Sequence, residues 1–225
     1  MADFSTAYRI VHGNEGGYAK ILGDKGGETY MGIARNSHPN WTGWRIIDAV
    51  KATRHMYWNE YIDNAELKQM VVNFYRATWN QMLGDGIRSQ PVANLYYDFY
   101  TNSGGATTVL QRVLVYQFRQ KITVDGAPGP QTLAAINAVD GASLHNALKA
   151  ARIAYVQDLV RRDPSMGQFL DTWLRRIRQF PDQEKKSSVS SSPSVASRLG
   201  SSISNMLRGK LRNPFSNSPD ETATA

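Results

Sequence analysis

Apolar residues recur at helical spacing along most of the first 180 positions, and that period commits the chain to a mainly α fold with one small excursion. Phe4, Ala7, Tyr8 and Val11 follow i, i+3, i+4, i+7, with Asp3 or Ser5 available as an N-cap and Gly16-Gly17 to end the helix. Ile46, Ile47, Val50, Arg54 and Tyr57 continue the period, as do Val109, Arg112, Val113 and Tyr116. A longer pattern runs from Ser143 through Leu148, Ile153, Val156 and Val160 to Arg161 and stops before Pro164; another covers Phe169 to Phe180 and ends at Pro181. Between Ile21 and Met31 the period fails. Gly23, Gly26 and Gly27 surround Asp24 and Thr29 there, which predicts a turn-rich loop or small hairpin, the one place where strands are expected.

Composition narrows the chemistry. The chain has no cysteine, which removes disulfide frameworks, thiolate metal sites and cysteine nucleophiles. The four histidines (His12, His38, His55 and His145) show no ligand spacing, so they read as ordinary surface or core residues, and neither metal nor cofactor is expected. Lys and Arg total 26 against 19 acids, a net charge of +7 that favours a polyanionic partner. No apolar run approaches the roughly 18 residues of a membrane span. The opening MADFSTAYRIVHGNEGG has no charged region followed by an apolar stretch, so no secretory leader is expected and synthesis is placed in a bacterial or host cytoplasm.

The residues most suited to chemistry are Glu15, Asp24 and Thr29. A carboxyl at the C-terminal end of the first predicted helix would meet partial negative charge, which favours its protonated form. Such a carboxyl can serve as a general acid, while a second carboxylate and a hydroxyl can hold and activate water: together an acid–base set for glycosidic hydrolysis. The plainer alternative for Glu15 is a solvated helix end, and for Asp24 a turn residue bonded to its own backbone. Trp41, Trp44, Tyr57, Trp58, Tyr61 and Trp79 are candidates for stacking on sugar faces, although aromatics at helical spacing also build cores.

In order along the chain, Glu15-Gly16-Gly17-Tyr18, Asp24-Lys25-Gly26-Gly27-Glu28-Thr29, Gly32-Ile33, Tyr57-Trp58 and Asp98 to Gly104 resemble the motifs of family-108 glycoside hydrolases, muramidases of phages and bacteria. Leu110-Gln111, Val124-Asp125-Gly126-Ala127-Pro128-Gly129-Pro130, Arg152 to Tyr155 and Phe169 to Trp173 are similar to the helical peptidoglycan-binding module that completes those proteins. The resemblance covers about residues 3–180. It implies a lysozyme-like helical domain over 1–104, a peptidoglycan-binding-like helical region over 105–183 packed on it, and cleavage between N-acetylmuramic acid and N-acetylglucosamine. It also implies Glu15 as the essential carboxyl and Tyr18, Tyr30, Asn102 and Trp58 as substrate contacts. The Glu15–Asp24–Thr29 spacing is similar as well to the Glu…Asp…Thr triad of small phage lysozymes, which implies Asp24 and Thr29 as managers of the attacking water. Lys25 stands where the family usually has proline, and Tyr30-Met31 where it often has Asn-Tyr, differences that bear on substrate fit.

Residues 184–225 read as a serine-rich basic tail. Within it Val195, Leu199, Ile203, Leu207 and Leu211 recur every four residues beside basic side chains, which suggests an amphipathic helix over 195–212. That helix would suit a virion or secretion-system partner, or peripheral contact with an anionic membrane. Peptidoglycan is the expected main partner and the cell wall or periplasm the expected site of action, as for a phage endolysin or virion-associated enzyme. The rival class is a non-catalytic wall-binding or virion structural component. No nucleic-acid reader motif accompanies the charge, so nucleic acid is not an expected partner.

Overall fold

The computed structural model describes residues 1–13, 16–20 and 27–184. The fold is mainly helical, as the spacing predicts. Helix α1 (Phe4–His12) begins where Asp3 accepts the Thr6 N–H at 2.8 Å, and it buries Phe4, Ala7, Val11 and His12. It ends earlier than expected. Gly13, not Gly16-Gly17, is its C-cap, and the Gly13 N–H returns to the Arg9 carbonyl.

The glycine-rich excursion is a three-stranded antiparallel sheet of β1 (Tyr18–Lys20), β2 (Glu28–Tyr30) and β3 (Ile33–Ala34). Its register pairs Tyr18 with Tyr30, Ala19 with Thr29, and Tyr30 with Ile33. Met31 (φ 47°) and Gly32 (φ 79°) form the two-residue turn between β2 and β3. Positive φ at both central positions matches the right-handed twist of the flanking strands.

After the sheet come α2 (Gly43–Thr53), α3 (Ala65–Gln81), a 3-10 turn (Gly84–Gly86) and α4 (Gln90–Asn102). They are followed by α5 (Ala106–Tyr116), α6 (Pro130–Asn137), α7 (Gly141–Arg162), a second 3-10 stretch (Pro164–Phe169) and α8 (Leu170–Arg178). Asn64 caps α3 and Asp140 caps α7, each through a 2.8 Å bond from a backbone N–H three residues on. Helix α2 stops at Thr53 because Arg54 is extended, so Tyr57 leaves the predicted helix and lies exposed in the following loop.

Helix α4 is the centre of the body. Every residue from Val92 to Phe99 is buried, because α1, α5 and α7 surround it. Asn94 and Asp98, polar residues four positions apart on this helix, are buried with the rest. Residues 1–185 form one compact unit, within which α7 packs on α4 across the Ser103–Gly105 corner. Among the described residues no helix is long and apolar enough to cross a membrane. The suggested helix over 195–212 lies outside the described residues.

Candidate active site

Two hollows open beside the sheet, and Gly32, at the β2–β3 turn, lines both. The smaller, about 210 Å³, is walled by Gly16, Gly17, Tyr18, Ala19, Thr29, Trp58 and Asn59. The larger, about 450 Å³, is walled by His12 at the end of α1, Phe74, Tyr75 and Thr78 of α3, Tyr100 to Asn102 of α4, and Arg176 of α8.

The wall of the smaller hollow is built by backbone pairing. Tyr18 exchanges bonds with the 59–60 loop, its N–H donating to the Glu60 carbonyl (2.8 Å) and its carbonyl accepting from Asn59 (2.7 Å). The Gly17 N–H donates to Asn59 Oδ1 at 2.8 Å. The strands approach so closely that a Cβ on Gly17 would lie 2.2 Å from the Glu60 carbonyl oxygen, which explains the glycine there. Holding this loop also presents Tyr57, Trp58 and Tyr61 to solvent at 69%, 76% and 53% exposure. Of the other candidates, Trp44 and Trp79 are core residues, and Trp41 is half-buried with its ring edge-on to Trp44.

A buried carboxylate anchors the sheet to α2. Glu28 meets Arg35 Nε at 2.7 Å and Lys51 Nζ at 2.5 Å, and Arg35 grips Asp48 through two bonds of 3.1 and 2.7 Å. Burial, and then the hydrogen bond with Glu28, push the Tyr18 hydroxyl up to about 12. Two cations and a phenol thus occupy Glu28, which fits a structural anchor and not an acid waiting for substrate.

The expected site residues separate into three groups. Thr29, Tyr18 and Trp58 stand in the smaller hollow, and Asn102 stands in the larger, its Nδ2 donating to the Asp98 carbonyl at 2.7 Å. Tyr30 departs from expectation. Strand alternation turns its ring into the core at 1% exposure, where its hydroxyl accepts the Ile62 N–H at 3.1 Å, so it belongs to the scaffold and not to the cleft wall. Glu15 and Asp24 lie outside the described residues. In sequence Glu15 falls between His12, in the wall of the larger hollow, and Gly16, in the wall of the smaller.

Two cleft residues escaped the sequence analysis. His12 is buried against Tyr75, their ring centroids 3.7 Å apart, with its Nε2 3.1 Å from the Tyr97 hydroxyl. Burial, helped by the charge of Arg176, lowers its pKa to about 3, so the imidazole is neutral at physiological pH. Arg176 stands with Arg175 and Arg178 in the last turn of α8. The usable signal was its place in α8, three residues after Trp173 and beside the buried Ile177, on the face that packs inward. His145, also buried, bridges the Pro91 and Pro181 carbonyls, whereas His38 and His55 are exposed. Among the described residues no cluster of three metal-ligating side chains occurs.

Residues 8–104 match the family described as "Glycosyl hydrolase 108", and residues 105–178 match one described as "Predicted Peptidoglycan domain". A similar solved structure is that of Brucella abortus SagA, 26% identical, with a TM-score of 0.50 over 79% of this chain and 94% of that one. No curated protein sequence matches. Residues 8–104 are therefore similar to the glycosyl hydrolase 108 family, and the residues directly after them, 105–178, to a peptidoglycan domain.

Proposed function

We propose that the chain hydrolyses the glycan strand of peptidoglycan between N-acetylmuramic acid and N-acetylglucosamine, acting at the cell wall. Similarity to a glycosyl hydrolase family and to a peptidoglycan domain supports the substrate class. The observation that carries the reading is the pair of hollows meeting at Gly32, with Thr29 and the exposed Trp58 in one wall and Asn102 in the other. In this reading Glu15 gives its proton to the departing glycosidic oxygen. Asp24 takes a proton from water held with the help of the Thr29 hydroxyl, and that water attacks the anomeric carbon. Trp58 offers a pyranose ring an apolar face that needs no rearrangement of the core. The halves divide as a hydrolase region over 1–104 and a wall-directed region over 105–183, with the tail beyond.

The test is Glu15→Gln in the full chain, assayed for release of reducing ends from purified sacculi, with products identified by mass spectrometry. The expected result is loss of release with an unchanged helical circular dichroism spectrum. Wild-type release by the variant would overturn the assignment. Binding to sacculi without release by the wild type would point instead to a wall-binding component.

A further inference from the structure

The second 3-10 stretch (Pro164–Phe169) stands out from the body by construction. Pro164 opens it, and Asp163 caps it by accepting from the Ser165 N–H at 3.1 Å and from the Ser165 hydroxyl at 2.6 Å. None of its residues is buried, and the chain is exposed without a break from Arg161 to Phe169. The turn delivers Phe169 to the surface at 49% exposure, with Met166 one 3-10 turn before it at 36%. Every other described phenylalanine is buried or half-buried. Half-buried Trp173 follows, so three large apolar side chains gather at the start of α8, where a single one would be ordinary.

The two rings are also aligned. Phe169 already has helical backbone angles (φ −95°, ψ −13°), so Phe169, Trp173 and Arg176 follow i, i+4, i+7 along one stripe of α8. The Phe169 and Trp173 rings lie near parallel, tilted by 29° with centroids 5.9 Å apart. The stripe ends at Arg176, which lines the larger hollow and whose Nε donates to Asp98 Oδ1 of α4 at 2.6 Å. Asp98 Oδ2 lies 2.6 Å from Arg152 Nη1 of α7, so a carboxylate that is 1% exposed ties both α7 and α8 to α4. At 1.5 Å per residue, the stripe runs about 10 Å from the wall of the hollow to the outer ring.

We infer that Phe169 and Trp173 form a second sugar-stacking site, which receives the glycan strand where it leaves the larger hollow. A pyranose ring lays a flat face of C–H groups on an aromatic surface and keeps its hydroxyls in water, so such a site needs no deep pocket. Two observations select this occupant. Both rings belong to the segment that matches a peptidoglycan domain. Their stripe also leads into the larger hollow, which meets at Gly32 the smaller one where the exposed Trp58 stands. The inference rests on peptidoglycan as the partner proposed above and does not depend on which bond is cut.

The experiment measures sedimentation of the full-length wild type and of Phe169→Ala, Phe169→Leu and Phe169→Tyr with purified sacculi in the cold, with soluble peptide-free glycan strands as competitor. Phe169 is exposed, so all three variants should keep the wild-type Tm. Alanine and leucine should each weaken binding about two- to tenfold, the fold-change that loss of one aromatic stack produces. Tyrosine keeps the flat ring and should bind as the wild type does, and peptide-free strands should displace the wild type. Wild-type binding by the Leu variant would mean apolar contact without stacking and would overturn the inference, as would failure of the peptide-free strands to compete. If binding follows the expected pattern but the wild type releases no reducing ends, the hydrolytic reading falls and the sugar site stands. Release of reducing ends with binding indifferent to all three substitutions does the reverse.

Discussion

Asp98→Asn is the sharpest test of how α7 and α8 are tied to α4, because it preserves shape and removes one charge. In the wild type the carboxylate faces Arg176 Nε and Arg152 Nη1, both at 2.6 Å, in a site where Asp98 is 1% exposed. The amide withdraws the negative charge that both guanidinium groups face, strands the almost wholly buried Arg152, and can present a donor to a donor. Removing one partner of a buried pair costs about 3–5 kcal/mol, against a total of about 5–15 for a typical domain. With a urea m-value of about 2 kcal/mol/M, the unfolding midpoint should fall by roughly 1.5–2.5 M. The assay is equilibrium unfolding followed by tryptophan fluorescence and far-ultraviolet circular dichroism, whose coincidence checks two-state behaviour. Adding Arg152→Met to Asp98→Asn removes the stranded cation, so the double variant should recover about 1–3 kcal/mol relative to simple addition of the single losses. A loss below about 1 kcal/mol for Asp98→Asn, or strict additivity in the cycle, would refute the claim that this carboxylate is a buried counterion.

Other outcomes follow from the same geometry. Burial holds the His12 pKa near 3, below its ordinary value of 6.5, so the unfolded chain binds a proton there before the folded one does. Its contribution to stability is complete above about pH 6.5 and is lost as pH falls toward 3, at ~1.4 kcal/mol per pH unit. Urea midpoints measured from pH 7 to pH 4 should therefore fall more steeply for the wild type than for His12→Gln, and parallel slopes would contradict it. Gly17→Ala places a methyl 2.2 Å from the Glu60 carbonyl and should cost at least about 1–3 kcal/mol while loosening the 59–60 loop, read as a lower Tm together with weaker sacculus turnover. Trp58→Ala touches a side chain that is 76% exposed, so Tm should hold while KM for glycan rises severalfold; an unchanged KM would remove Trp58 from the substrate path.

How far the sequence could be read depended on how local each cause was. The caps at Asp3 and the long period ending before Pro164 are local, and α1 and α7 begin or end where those signals stand. Helix α2 ends early because the next residues are recruited by Gly17 and Tyr18, more than forty positions away in the case of Asn59. The motifs named Thr29, Trp58 and Asn102, and all three line the two hollows. Tyr30 was placed wrongly because one step along a strand reverses the face a side chain takes. The pairing of Arg176 with Asp98 spans 78 positions, so no local pattern announces it.

The burial of Val92 to Phe99 on all sides has a consequence for how such a protein can be cut or recombined. The family boundary falls at residues 104 and 105, just past this helix, yet the helix is walled by α1 from one side of that boundary and by α5 and α7 from the other. A fragment ending at the boundary would keep the central rod and lose two of its walls, turning core into sticky surface. Exchange of residues 105–178 between relatives should succeed only when the donor brings side chains that interlock with the recipient's rod.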